Sequence, residues 1–110
     1  MSRQQFLYRL TLVRPALLIE GPTADEARII AEHFAYLKGL TEAGTMILAG
    51  RTQTTGPETF GLAILEAASD GEARAIMESD PAVSSGLMSA ELFPYKIALM
   101  RQTPLPEAAP

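Results

Sequence analysis

The 110-residue chain has no cysteine, a single histidine and no run of basic residues. Without cysteine, disulfides, thiolate nucleophiles and cysteine-held zinc or iron–sulfur centres are excluded. One histidine alone cannot assemble the usual zinc ligand sets either. Gly50, Gly56 and Gly61 fit neither nucleotide-binding glycine fingerprint. The expectation is therefore a site that needs neither metal nor cofactor. Positive charge is also scarce, with 9 Lys+Arg against 13 Asp+Glu and a net charge of −4. Nucleic-acid binding depends on Lys and Arg neutralising phosphates, so a nucleic-acid partner is not expected. No apolar run approaches the roughly 20 residues that span a bilayer, so no membrane role is expected. The opening Met1-Ser-Arg-Gln-Gln-Phe6 lacks the apolar core and cleavage site of a secretory leader. The expected compartment is the cytoplasm.

What is present is ordinary globular composition, 47% hydrophobic and 20% charged, at a length that suits one domain. Phe6, Tyr8, Leu10 and Leu12 alternate with Gln5, Leu7, Arg9 and Thr11, the period of a strand. Arg14-Pro15 and Gly21-Pro22 then mark an irregular connection. Thr23-Ala-Asp-Glu26 is a capping box, in which the threonine hydroxyl and the glutamate carboxylate each satisfy a free backbone N–H. Ala27, Ile30, Ala31, Phe34, Leu37 and Leu40 follow at helical spacing, with Glu32 and Lys38 toward water, and Gly44 supplies the stop. Two short apolar runs, Thr45–Arg51 and Phe60–Ala67, flank a polar hairpin loop. Ser69-Asp-Gly-Glu72 reads as a second capping box, opening a helix that Pro81 ends near Asp80. An irregular stretch, Ala82–Met88, precedes a last strand in which Phe93, Tyr95, Ile97 and Leu99 alternate with Pro94, Lys96, Ala98 and Met100. Pro94 belongs at an edge or a bulge, because it has no N–H for the ladder. Met46, Met77, Met88 and Met100 read as core filling.

This order, β-α-β-β-α-β, is the ferredoxin-like α+β arrangement, with a four-stranded antiparallel sheet. Right-handed crossovers put both helices on one face. The domain is expected over residues 1–102, with residues 103–110, three of them proline, as a flexible tail. Several strands are apolar on both parities, so the second face needs a cover, and a second copy of the chain is the simplest one.

His33-Phe-Ala-Tyr36-Leu37 with Gly44, then Leu48-Ala49-Gly50, then Gly61 with Ile64-Leu65-Glu66-Ala67, and finally Asp80-Pro81, Gly86-Leu87, Glu91 and Pro94 follow one another along the chain. From about Phe6 to Met100 the sequence resembles the YCII-related family. The resemblance implies a homodimer in which two ferredoxin-like sheets pair into a dimeric α+β barrel. It also implies a cleft beside a catalytic histidine–aspartate pair, His33 and Asp80 in this chain. Where the family often has Ala-Gly-Pro, this chain has Ala49-Gly50-Arg51, a cation in place of a rigid ring. Relatives in aromatic-compound degradation eliminate halide from chlorinated ring intermediates.

The residues themselves carry two readings of His33. It lies on the flank of the apolar helix stripe, where it serves either as a general acid or base or as a half-buried histidine bonded to a backbone carbonyl. Asp80, placed at a helix C-terminus, is mildly disfavoured there by the peptide dipoles and calls for a partner. His33 is the natural one, and the carboxylate would orient the imidazole and fix its tautomer. Arg9, Arg51, Tyr36 and Ser85 are candidates for substrate binding, the two arginines through bidentate contact with an anion. Two functions follow: a cofactor-independent lyase or isomerase acting on a small molecule, or a non-catalytic homodimer that binds a metabolite or a partner chain.

Overall fold

The computed structural model describes residues 3–106. Four strands, β1 (Gln4–Leu12), β2 (Met46–Arg51), β3 (Gly61–Ala67) and β4 (Met88–Tyr95), form one antiparallel sheet in the order β2-β3-β1-β4. Four helices complete the domain: α1 (Leu17–Glu20), α2 (Ala24–Glu42), α3 (Asp70–Glu78) and α4 (Pro81–Ser84). The ferredoxin-like α+β class expected from the sequence is the observed one. Residues 107–110, half of the segment read as a tail, lie outside the described residues.

Strand periodicity sets the layers. Phe6, Tyr8 and Leu10 of β1 are buried and point to the helices with Ala63 and Leu65 of β3 and Met46 of β2. Ala73 and Met77 of α3 close over them, with Leu37 and Leu40 of α2 alongside. Cross-strand pairs put Leu7, Ile64 and Phe93 together on the opposite face, with Gln5 beside Tyr95. Leu48, opposite Ile64, shares that face, and it, Phe93 and Tyr95 are exposed. One side of the sheet is thus a core, and the other is an apolar surface on which Leu48, Phe93 and Tyr95 are exposed while Ile64 is buried.

Local chemistry fixes the element ends. The Thr23 box is complete, with the Glu26 N–H on Thr23 Oγ1 at 3.1 Å and the Thr23 N–H on Glu26 Oε1 at 2.9 Å. Gly44 leaves α2 at φ 85°, a left-handed turn that a Cβ disfavours. At Ser69 only half of the expected box forms: Ser69 Oγ accepts the Glu72 N–H, but the Glu72 carboxylate turns to Arg3 at 3.0 Å.

Four expectations are corrected. The Arg14–Pro22 connection contains α1, whose Leu17 is buried with Ile29 and Leu87 in a second small core. The stretch after Asp80 starts with α4, because Pro81 at the first helical position has its φ already set. The last strand begins at Met88 and stops at Tyr95 instead of running through Leu99. Its antiparallel partner β1 begins only at Gln4, and the Ile97 N–H bonds the Gln5 side chain rather than a ladder carbonyl. Beyond it Met100 is exposed and fills no core, whereas Met46 and Met77 are buried as expected. Among the described residues no helix is long and apolar enough to cross a membrane.

Candidate active site

The site begins with a carboxylate that is out of contact with water. Asp80 is 0% exposed. Burying a charge is costly unless hydrogen bonds replace its hydration, and here three do so. The Ala82 N–H donates to Oδ1 at 3.0 Å, the Tyr8 hydroxyl donates to Oδ2 at 2.9 Å, and His33 Nδ1 lies 2.6 Å from Oδ1. The first is local: Asp80 is the N-cap of α4, with extended backbone (φ −63°, ψ 124°) ahead of Pro81. This reverses the expectation of a carboxylate at a helix C-terminus. Because α3 stops at Glu78 and a new helix starts at Pro81, the nearest peptide dipoles present N–H groups to Asp80.

The other two donors come from distant chain. Tyr8 is on the inward parity of β1, wholly buried between Phe6 and Leu10. Burial pushes its hydroxyl far above the ordinary phenol range, reinforced by the Asp80 charge and the hydrogen bond to it. It therefore remains a donor. His33 comes from the middle of α2, its side chain 14% exposed. An ionised carboxylate can only accept, so Nδ1 is the protonated nitrogen in this pair, and in the neutral ring Nε2 then carries the lone pair. Among the described residues nothing hydrogen-bonds Nε2.

The imidazole borders an open cleft of about 780 Å³ between α2 and the sheet. Leu10 and Leu12 of β1 and Gly61 of β3 lie along one side, Ile30, His33, Phe34 and Leu37 of α2 along the other, with Leu17 and Leu18 of α1 at one end. Arg51 and Phe60 reach the cleft from the two ends of the hairpin loop. A chain of hydroxyls, Thr52 to Thr54 at 2.9 Å and Thr54 to Thr59 at 2.6 Å, ties that loop together. The Thr52 N–H on the Phe60 carbonyl at 2.9 Å closes its base.

The structure brings some sequence-nominated residues here and leaves others elsewhere. His33 and Asp80 meet, and Arg51 lines the cleft, its guanidinium making only a 3.5 Å contact with the Thr52 carbonyl. Tyr36 spends its hydroxyl on the Ile76 carbonyl at 2.7 Å, tying α2 to α3 outside the cleft. Burial raises its pKa, helped by the Asp80 charge. Ser85 accepts the Leu87 N–H at 3.3 Å in the turn after α4. Arg9 points to the other side of the sheet, its guanidinium 4.9 Å from the centre of the Phe60 ring. Three cleft or site residues escaped sequence reasoning. Tyr8 was readable only as a core aromatic, although a buried phenol demands a partner. Lys38 was assigned to water, and Phe34, assigned to the apolar stripe, is 67% exposed in the cleft wall. Among the described residues no group of three or more His, Cys, Asp or Glu side chains gathers as a metal site.

No curated protein matches the sequence. Among solved structures, the chain is similar to 5-chloro-2-hydroxyhydroquinone dehydrochlorinase from Burkholderia phenoliruptrix AC1100 in complex with 2,5-dihydroxybenzoquinone. That likeness has a TM-score of 0.63 at 24% identity, over 84% of this chain and 93% of the other. An uncharacterised protein of Thermotoga maritima has a TM-score of 0.55 at 9% identity, over 86% of this chain and 100% of the other. At these identities both are likenesses of fold. The YCII-related domain model matches residues 10–96, from the middle of β1 to just past β4, and so takes in His33, Asp80 and the cleft that His33 lines. The chain belongs to the YCII-related family.

Proposed function

We propose that the protein is a small-molecule enzyme performing cofactor-independent acid–base chemistry of the lyase or isomerase kind. His33 is the proton-transfer residue and Asp80 the group that orients it. The observation that supports this reading is the 2.6 Å contact between His33 Nδ1 and a carboxylate without solvent exposure, beside a largely apolar cleft. With Nδ1 held by Asp80, the lone pair on Nε2 is the part of the ring left to take up a proton. In a lyase step, a substrate hydroxyl or carbon acid gives its proton to Nε2, the freed electron pair forms a new π bond, and the bond to a leaving group such as chloride breaks with its electrons. In an isomerase step the same proton returns to another carbon. The fold shared with a dehydrochlorinase agrees with either form. A second copy covers the free sheet face bearing Leu7, Leu48, Ile64 and Phe93, giving the dimeric barrel.

The test offers a panel of hydroxylated aromatic compounds, with and without a ring chlorine, to the wild type and to His33→Ala. Deuterium uptake from solvent and chloride release are followed. At least one compound is expected to turn over, and the variant to lose about 100-fold or more with unchanged circular dichroism. Equal rates would remove His33 from the chemistry, and ligand binding without conversion across the panel would favour a metabolite-binding module. The active species should sediment as a dimer; full turnover by a monomer would remove the pairing.

A further inference from the structure

The acid-rich composition of the chain does not extend to its cleft. Thirteen Asp and Glu outnumber nine Lys and Arg in the sequence, yet no carboxylate lines the cleft, whereas Lys38 and Arg51 both do. Elsewhere, Arg3, Arg14, Arg28 and Arg74 each pair with a carboxylate, and among the described residues Arg9, Lys96 and Arg101 do not. Among the described residues Lys38 and Arg51 form no ion pair, even though Glu42 lies one helical turn beyond Lys38. Two unneutralised cations at the edge of an apolar cleft attract an anion more strongly than they would in open water.

The walls describe the rest of the ligand. Phe34, next to His33 on α2, leaves most of its ring in contact with solvent. Phe60 lines the cleft from the hairpin loop, and the Arg9 guanidinium sits near its ring. Aliphatic side chains make up most of the remaining surface. A flat ring buries area against such walls and meets aromatic neighbours in stacked or edge-on contact. Lys38 follows His33 by five residues, about 7.5 Å along the helix axis and about 140° around it, and its long side chain still lines the same cleft as His33.

We propose that the cleft selects a planar aromatic or quinonoid compound bearing an anionic substituent, carboxylate being the simplest, which Lys38 and Arg51 hold while the ring lies beside His33 and Phe34. The reading of His33 as the proton-transfer residue determines which edge of the ring reacts, and the proposal rests on that reading in this respect alone. Arg51 supplies two parallel N–H donors that match a carboxylate, and Lys38 adds a point charge.

The test compares binding of 2,5-dihydroxybenzoate with that of the uncharged 2,5-dihydroxybenzamide, by calorimetry and by the ring signals of His33, using the full chain. The carboxylate is expected to bind about tenfold tighter, with the advantage shrinking as salt is added. Lys38→Gln and Arg51→Gln should each reduce that advantage several-fold and leave the amide unchanged; both positions are exposed, so the fold is spared. Butyrate, equally anionic but without a ring, should leave the His33 signals unmoved. Equal affinity for acid and amide, an advantage that survives both substitutions, or no shift at His33 with either aromatic probe would overturn the proposal. Because turnover by His33→Ala is measured separately, an amide that binds as well as the acid would refute the anion clamp and leave the acid–base reading standing.

Discussion

Tyr8 is the residue on which the site's rigidity depends most. Its hydroxyl is the only donor to Asp80 Oδ2 among the described residues, and both groups are without solvent exposure. Tyr8→Phe removes that donor without opening a large cavity, and a buried acceptor left unpaired costs about 1–3 kcal/mol. Denaturant melts should show a loss of that size; a variant as stable as the wild type would mean that water reaches the carboxylate. Tyr8 was invisible as a site residue in the sequence because strand parity places a side chain inward without saying which distant group its polar tip will meet. Asp80 was legible as a pair for His33 through the family resemblance, but its local setting was misread. A proline was taken as the end of one helix, when it also starts the next, and that changed the sign of the dipoles around the carboxylate.

Among the elements, α2 carries the imidazole, and its N-terminus is fixed by more than the capping box visible in the sequence. Arg14, from the turn after β1, reaches Glu26 twice, with Nε on Oε2 at 2.9 Å and Nη2 on Oε1 at 2.6 Å. The hydrogen bond from Arg14 holds the Glu26 carboxyl at about 2, below its usual 4.5, with help from the Thr23 backbone N–H. A depressed carboxylate pKa stabilises the fold above the unfolded value and loses that contribution as pH falls through the folded one. Stability from this clasp should thus be intact at neutral pH and fade from pH 4.5 down to about 2. Thermal melts of wild type and Glu26→Gln should differ at neutral pH and converge in acid. Parallel curves across that range would mean that Arg14 and Glu26 do not hold α2 to β1. The two central strands and both long helices were legible because their apolar periodicity continues through each element. The ends of β4 were not, since they depend on where β1 begins and stops, a fact of pairing rather than of local sequence.

At the scale of the molecule, one sheet serves two purposes. Its inner face joins Phe6, Tyr8 and Leu65 to the helices, and its outer face leaves Leu48, Phe93 and Tyr95 exposed. The sequence revealed that both faces are apolar, because alternate parities of the same strands carry large hydrophobic residues. It did not reveal which residues line the cleft, because that surface gathers residues of all four strands, α1, α2 and the hairpin loop. Arg51 was singled out by its departure from the family's usual proline, while Lys38, with no such marker, looked like any solvated lysine. The central claim is that Asp80 fixes the His33 tautomer so that Nε2 is free to exchange a proton with a substrate. Because the chain has one histidine, a nitrogen-15 NMR spectrum of its imidazole can be read without assignment. With the ring neutral, the account predicts a protonated Nδ1 and an unprotonated Nε2 in the wild type, and a mixture of tautomers in Asp80→Asn. A wild-type ring protonated at Nε2, or a spectrum that ignores the substitution, would contradict it.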